Sequence, residues 1–255
     1  MITKMALKIS IVLLAALCVA GHAAQNKANL TWSDPNKAAA EDPDFTIQGE
    51  YGVNKKAQPW GVQVVALGDG QFDAYLLEGG LPGLGWTRKK QRIKLSGSRN
   101  GNVVNLTGNN AVKATIKSSR IVVTRAGNEI ADLPRIARKS KTLGKKPPNN
   151  AIVLFDGSSA DAWNNGKVEN GLLPNTEITT KQKFGSYKFH LEFRTPYKPY
   201  ARGQGRGNSG VYHQGRYETQ VLDSFGLEGQ MNECGGIYTI AQSRINMCLP
   251  PLTWQ

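Results

Sequence analysis

The sequence predicts an all-β protein. Between Phe45 and about residue 137, short β-rich runs alternate with turns that contain Gly or Asn. Aromatic residues make up 8% of the chain, and Gly, Asn and Thr are abundant, which favours strands and loops over a helical bundle. The chain contains no heptad repeat and no convincing long helix. The first half is therefore expected to form a small β-sandwich or barrel.

Individual elements follow from local patterns. Asp34 followed by Pro35 predicts the start of a short helix, which Pro43 ends. The turn Gly68-Asp69-Gly70 predicts a hairpin between two β-rich runs. Strands are predicted over residues 62–67, 72–77, 91–95, 103–107, 111–116 and 120–125.

The second half carries a different pattern. Residues 187–194 alternate strictly between apolar and polar side chains, which predicts a strand with one face in a core. A glycine-rich loop follows over residues 201–207, and two further strands are predicted at 210–213 and 217–222. A dinucleotide-binding loop would need a helix after it, so a β-run at this position argues against that class of site.

The N-terminus has the organisation of an export signal. Lys4 and Lys8 precede an apolar run from Ile9 to Ala20, and small residues follow up to Ala23. The run of twelve residues is too short to span a bilayer. We expect cleavage after Ala23, so that residues 1–23 are a signal peptide and the mature chain is periplasmic or extracellular.

Removal of the signal peptide leaves two cysteines. Cys234 and Cys248 are fourteen residues apart, and in an exported protein such a pair suggests one disulfide. Two buried free thiols are the alternative. No spacing typical of a zinc site is present, so the sequence predicts no metal ligand.

The net charge of +13 is concentrated in the first half of the chain. Residues 24–147 carry 20 Lys and Arg against 10 Asp and Glu, whereas residues 148–255 carry 10 against 9. Export argues against nucleic acid as a partner, and an anionic surface polymer fits better. A solvated face with a basic linker is the plainer alternative. The excess lies at Arg88, Lys89, Lys90, Arg92 and Lys94, and at Arg135, Arg138, Lys139, Lys141, Lys145 and Lys146.

These patterns divide the chain into a basic β-domain at 24–137, a Pro-containing basic linker at 138–150 and a second domain at 151–255. Within the second domain, Glu218 and Gln220 are two apart on a predicted strand and therefore point to the same face. Such a pair can line a sugar-binding cleft. Asp223 follows at the strand end, and His213 on the preceding run is expected to neighbour Glu218 and Gln220.

Several short motifs of the second domain occur together in a specific order. Residues 151–255 resemble the 3-keto-disaccharide hydrolase domain family, and the resemblance rests on that order and spacing. The motifs are Leu154-Phe155-Asp156-Gly157 with Trp163, Phe184-Gly185-Ser186-Tyr187, His190-Leu191-Glu192-Phe193-Arg194, Gly207-Asn208-Ser209-Gly210-Val211-Tyr212, Tyr217-Glu218-Thr219-Gln220-Val221-Leu222-Asp223, Cys234-Gly235-Gly236-Ile237-Tyr238 and Pro250 to Trp254.

The resemblance implies a concanavalin-like jelly-roll sandwich and cleavage of glycosidic bonds in sugars oxidised at C3. By position in the motifs, Glu218 is expected as acid or base, with His213 as a second proton-transfer residue. Gln220, Asn208, Arg202 and Asp223 are expected to bind substrate, with Arg202 near the enolate charge. No cofactor is firmly implied, and a divalent metal would be compatible with the chemistry.

The family domain usually continues beyond the Pro-Trp motif, so the sequence is expected to hold about half of the jelly roll. Two other functions stay open beside the enzyme, namely a non-catalytic lectin-like sugar-binding protein and a truncated inactive product.

Overall fold

The structure is a computed structural model that describes residues 27–56 and 58–255. The expected signal peptide lies outside these residues. The all-β class is confirmed, and the first half forms a closed barrel of eight antiparallel strands in sequence order. The strands are β1 (Gly49–Tyr51), β2 (Trp60–Gly68), β3 (Gln71–Glu78), β4 (Arg92–Asn100), β5 (Val103–Gly108), β6 (Val112–Lys117), β7 (Arg120–Arg125) and β8 (Asn128–Ile136).

Alternation of side chains builds the barrel core. In β6, Val112, Ala114 and Ile116 are buried, whereas the intervening residues are exposed. The barrel closes where β1 pairs with β8 through Glu50 opposite Ile136. Closure removes the free strand edges that an open sheet of this size would carry.

Two short helices close one end of the barrel. Helix α1 (Pro35–Glu41) begins after Asp34, whose carboxylate accepts a hydrogen bond from the Lys37 amide, as the sequence predicts. Helix α2 (Pro43–Ile47) follows at once. Its buried Asp44 accepts from the Gly70 amide at 2.7 Å and from Arg99 Nε at 2.8 Å, which ties the helix to the β2–β3 turn and to β4.

The second half does not confirm the jelly-roll sandwich. Residues 150–255 form two small sheets, which consist of β9 (Trp163–Asn164) with β10 (Thr179–Thr180) and β11 (Ser209–His213) with β12 (Tyr217–Val221). The strand predicted at 187–194 is wrong. Its apolar residues Tyr187, Phe189 and Leu191 are 39–47% exposed, because no neighbouring strand of the described chain runs along them.

The second half packs against the barrel through buried side chains. Tyr197 is fully buried beside Phe45, and its hydroxyl donates to Asp42 at 2.9 Å. The buried Arg206 donates to the Ala66 carbonyl of β2 at 2.9 Å. These contacts hold the segment that leads into β11 against helix α2 and β2.

Arginines of the two basic clusters are also used inside the molecule. Arg88 donates to the carbonyls of Gly229 and Ser243, both at 2.7 Å, and Arg138 forms an ion pair with the buried Glu50 at 2.5 Å. Arg135 donates to the Gln48 carbonyl. These arginines therefore hold elements together and do not form an open basic surface.

Candidate functional site

The β11–β12 hairpin sorts the expected site residues onto two faces. Its register pairs Tyr212 with Glu218 and Gly210 with Gln220. Because side chains alternate along a strand, these four residues share one face of the hairpin. Glu218 and Gln220 therefore point to the same side, as their spacing predicts. We call this the carboxylate face.

Glu218 is half-buried on the carboxylate face and is held at both oxygens. The Tyr212 hydroxyl donates to Oε2 at 2.9 Å, and this hydrogen bond raises the pKa of Tyr212. The carboxylate lies over Gly210, where a Cβ atom would come within 2.7 Å of Glu218 Cγ. The absence of a side chain at position 210 thus leaves the space that the glutamate occupies.

Gln220 is 1% exposed and lies between two pairs of oxygens. On one side are Gln204 Oε1 at 2.9 Å and Asn208 Oδ1 at 3.2 Å. On the other are Glu218 Oε1 and the Ser209 carbonyl, both at 3.0 Å. With the amide nitrogen on the side of Glu218, Gln220 donates to Glu218 Oε1 and to the Ser209 carbonyl. Gln220 therefore helps to orient the Glu218 carboxylate.

Asn208 and Gln204 complete this network. Asn208 is exposed just before β11, and its amide donates to Gln204 Oε1 at 3.0 Å. Gln204 donates in turn to the Asn232 carbonyl at 2.7 Å. Sequence reasoning did not single out Gln204. Its signal is a polar side chain between Gly203 and Gly205, in a short 3-10 turn that brings the amide towards the hairpin.

His213 lies on the opposite face of the hairpin from Glu218. The register pairs it with Tyr217, so it shares its face with Val211 and Thr219. Its Nδ1 lies 2.7 Å from the Tyr187 hydroxyl and its Nε2 lies 2.9 Å from the Thr219 hydroxyl. The expectation that His213 neighbours Glu218 is therefore wrong. His213 pairs with Tyr217, and Tyr217 and Glu218 are consecutive residues whose side chains point to opposite faces.

Arg202 and Asp223 do not join the carboxylate face either. The Arg202 guanidinium donates to the carbonyls of Pro199, Ala201 and Leu67, and the last of these belongs to the barrel. Asp223 is 1% exposed, and its Oδ2 lies 3.6 Å from Arg206 without a hydrogen-bond partner among the described residues. Burial raises the pKa of Asp223 to about 6, against the lowering effect of Arg206.

The two cysteines are free thiols, so the expected disulfide is not formed in the structure. Cys248 is buried and Cys234 is partly exposed. The Cys248 thiol donates to the Leu222 carbonyl at 3.5 Å. The neighbouring Cys248 thiol lowers the pKa of Cys234, and the neighbouring Cys234 thiol raises that of Cys248. Only one of the two free thiols is buried, so the alternative of two buried free thiols holds for Cys248 alone.

The part of the chain that the structure describes holds no group of three or more His, Cys, Asp or Glu side chains placed to bind a metal ion. No helix among residues 27–56 and 58–255 is long and apolar enough to cross a membrane.

A carboxylate surrounded by amides and a tyrosine is suited to hydrogen-bonding a polar ligand such as a sugar. Residues 150–255 match the model of a protein family described as the 3-keto-alpha-glucoside-1,2-lyase-like domain. This match confirms the family resemblance of residues 150–255. Comparisons with curated proteins and with solved structures gave no match.

Proposed function

We propose that the protein cleaves the glycosidic bond of 3-keto-glycosides, with Glu218 as the residue that moves the proton. The observation that carries this proposal is the placement of Glu218 on one hairpin face between Tyr212 and Gln220, within the segment that matches the family. Because His213 lies on the opposite face of the hairpin, we assign the proton transfer to Glu218 alone.

The chemistry follows from the C3 ketone, which makes the hydrogen on C2 acidic. The Glu218 carboxylate takes that proton, and the electron pair of the C–H bond forms the enolate between C2 and C3. Collapse of the enolate restores the ketone, forms the C1–C2 double bond and breaks the bond from C1 to the glycosidic oxygen. Glu218 then returns its proton to the departing oxygen.

This sequence is an elimination, in keeping with the 1,2-lyase in the family description. Addition of water across the C1–C2 double bond would make the net reaction a hydrolysis. Gln220 orients the Glu218 carboxylate through its amide nitrogen, and Asn208 offers an exposed amide to the sugar. A divalent metal could act at the ketone as a Lewis acid.

The test uses the full chain and p-nitrophenyl 3-keto-glucoside, with release of nitrophenol as the readout. We expect Glu218→Gln to lower turnover by about 10² to 10⁴-fold, the range for loss of a general acid–base group. Glu177→Gln, at an exposed glutamate of the same segment, is the matched control and should leave turnover unchanged. Equal activity of the two variants would contradict the proposal.

A lectin-like function is the second candidate, and the exposed tyrosines of the hairpin favour it. Tyr212 on the carboxylate face is 64% exposed, and Tyr217 on the opposite face is 53% exposed, so each ring is available to stack on a sugar. Binding of the 3-keto-glucoside by calorimetry, without turnover by the wild-type protein, would identify a sugar-binding protein.

We also propose export of the mature chain. The proposal rests on residues 1–23 alone and predicts a mature N-terminus at Ala24. Sequencing of the N-terminus of protein recovered from the periplasm or medium tests it, and an intact Met1 there would contradict it.

A further inference from the structure

The end of the barrel opposite helix α2 contains a cavity of about 320 Å³. β2 and β4 begin at this end and β7 finishes there, so their terminal residues surround the opening. The cavity is lined by Gln91, Arg92, Ile93, Asn110 and Arg125. We call it the mouth cavity. Ligand pockets are common at the mouths of β-barrels, and typical volumes begin at about 300 Å³.

Arg125 is the residue of the mouth cavity whose bonding is incomplete. Its Nε atom is buried and has no hydrogen-bond partner among the described residues. A buried N–H group without an acceptor is costly, so such a group calls for an explanation, and a missing ligand is one. The guanidinium carbon lies 5.5 Å from the centre of the Trp60 ring, which places an aromatic surface beside the charge.

The second arginine of the mouth cavity is already occupied. Arg92 donates to the Gly226 carbonyl at 2.6 Å, and its guanidinium carbon lies 3.7 Å from the centre of the Tyr75 ring. None of the five lining residues is acidic. Of the two arginines, Arg125 is therefore the one with an unpartnered buried N–H group, and the amides of Gln91 and Asn110 are neutral hydrogen-bonding groups nearby.

We propose that the mouth cavity binds an oxyanion carried by a molecule of monosaccharide size, such as a uronate or a sugar phosphate. The Arg125 guanidinium would donate to the carboxylate or phosphate oxygens, for which its planar geometry is suited. The two amides would contact the sugar, and the Trp60 ring would hold the Arg125 guanidinium from the side. This site lies on the barrel, and it is independent of the catalytic proposal for Glu218.

The test is calorimetric titration of the full chain with glucuronate, glucose 6-phosphate and neutral glucose. We expect at least one of the two anionic sugars to bind ~10-fold or more tightly than glucose, and we expect this difference to shrink at high salt. A preference for glucuronate identifies a carboxylate ligand, and one for glucose 6-phosphate identifies a phosphate ligand.

Arg125→Gln should abolish the preference for the anionic sugar. Arg120→Gln is the matched control, because Arg120 lies at the other end of the same strand in an exposed ion pair with Asp132. Thermal unfolding provides a second readout, in which the anionic sugar raises the Tm of the wild-type and Arg120→Gln proteins only. Equal affinity for glucose, no binding of either anionic sugar, or unchanged binding by Arg125→Gln would each overturn the proposal.

Discussion

Glu218 owes its position to a neighbour without a side chain. A Cβ atom at residue 210 would overlap with the Glu218 side chain, so the carboxylate can lie flat on the hairpin only while residue 210 is glycine. The Tyr212 hydroxyl then reaches Oε2 at 2.9 Å. A single missing methyl group thus sets the geometry of the proposed proton-transfer residue.

We therefore expect Gly210→Ala to displace Glu218 and to lower turnover by about 10²-fold, because small misplacements of a reacting group are costly. The variant should also lower the pKa of Tyr212, since its hydrogen bond to Glu218 raises that pKa. A pH titration of tyrosine absorbance measures this change independently of activity. Gly185→Ala is the matched control, because a Cβ atom there meets nothing within 4 Å.

Helix α2 illustrates how a very short element can be secured by one side chain. Five residues are too few for a stable isolated helix. Asp44 compensates by accepting from both the Gly70 amide and Arg99, and its side chain is only 2% exposed. The helix is therefore held by the barrel that it closes.

Asp44→Ala should lower the free energy of unfolding by about 3 kcal/mol, because it leaves Arg99 and a backbone amide without their partner. Asp34→Ala, which removes the exposed cap of α1, should cost only about 1 kcal/mol. Urea unfolding curves of the two variants measure the difference. Equal losses would show that burial of Asp44 contributes nothing beyond a helix cap.

At the level of the whole molecule, the buried Arg206 contacts both the barrel and a buried carboxylate of its own half. Arg206 donates to the Ala66 carbonyl in the barrel and lies 3.6 Å from Asp223 in the second half. Burial outweighs the attraction of Arg206 and raises the pKa of Asp223 from 3.8 to about 6. The charged form of Asp223 is therefore less stable in the folded protein than in the unfolded chain.

The stability should consequently fall as the pH rises from about 4 to about 6, where the folded state holds a proton that the unfolded chain has lost. At neutral pH this effect amounts to about 3 kcal/mol. Asp223→Asn removes it, so the wild type should lose stability relative to that variant across this pH range. Unfolding free energies of both proteins at pH 4 and 7 test this, and a constant difference would contradict it.

Local patterns in the sequence determined much of the barrel. Alternating residues such as those of β6, and turns such as Gly68-Asp69-Gly70, predicted six of its strands, and the cap at Asp34 predicted α1. β1 escaped prediction because it is three residues long, and β8 because Pro134 and several charged residues interrupt its pattern. The family of residues 150–255 was also recognisable from its motifs.

Only the tertiary structure decided which residues meet. Spacing put Glu218 and Gln220 on one face, but the pairing register of two strands placed His213 on the other. The role of Arg202 and Arg206 in docking against the barrel, the burial of Asp223 and the free state of the cysteines depend on contacts between distant segments. Strand periodicity is a local property that a sequence displays, whereas register, burial and charge pairing arise when separate segments pack together.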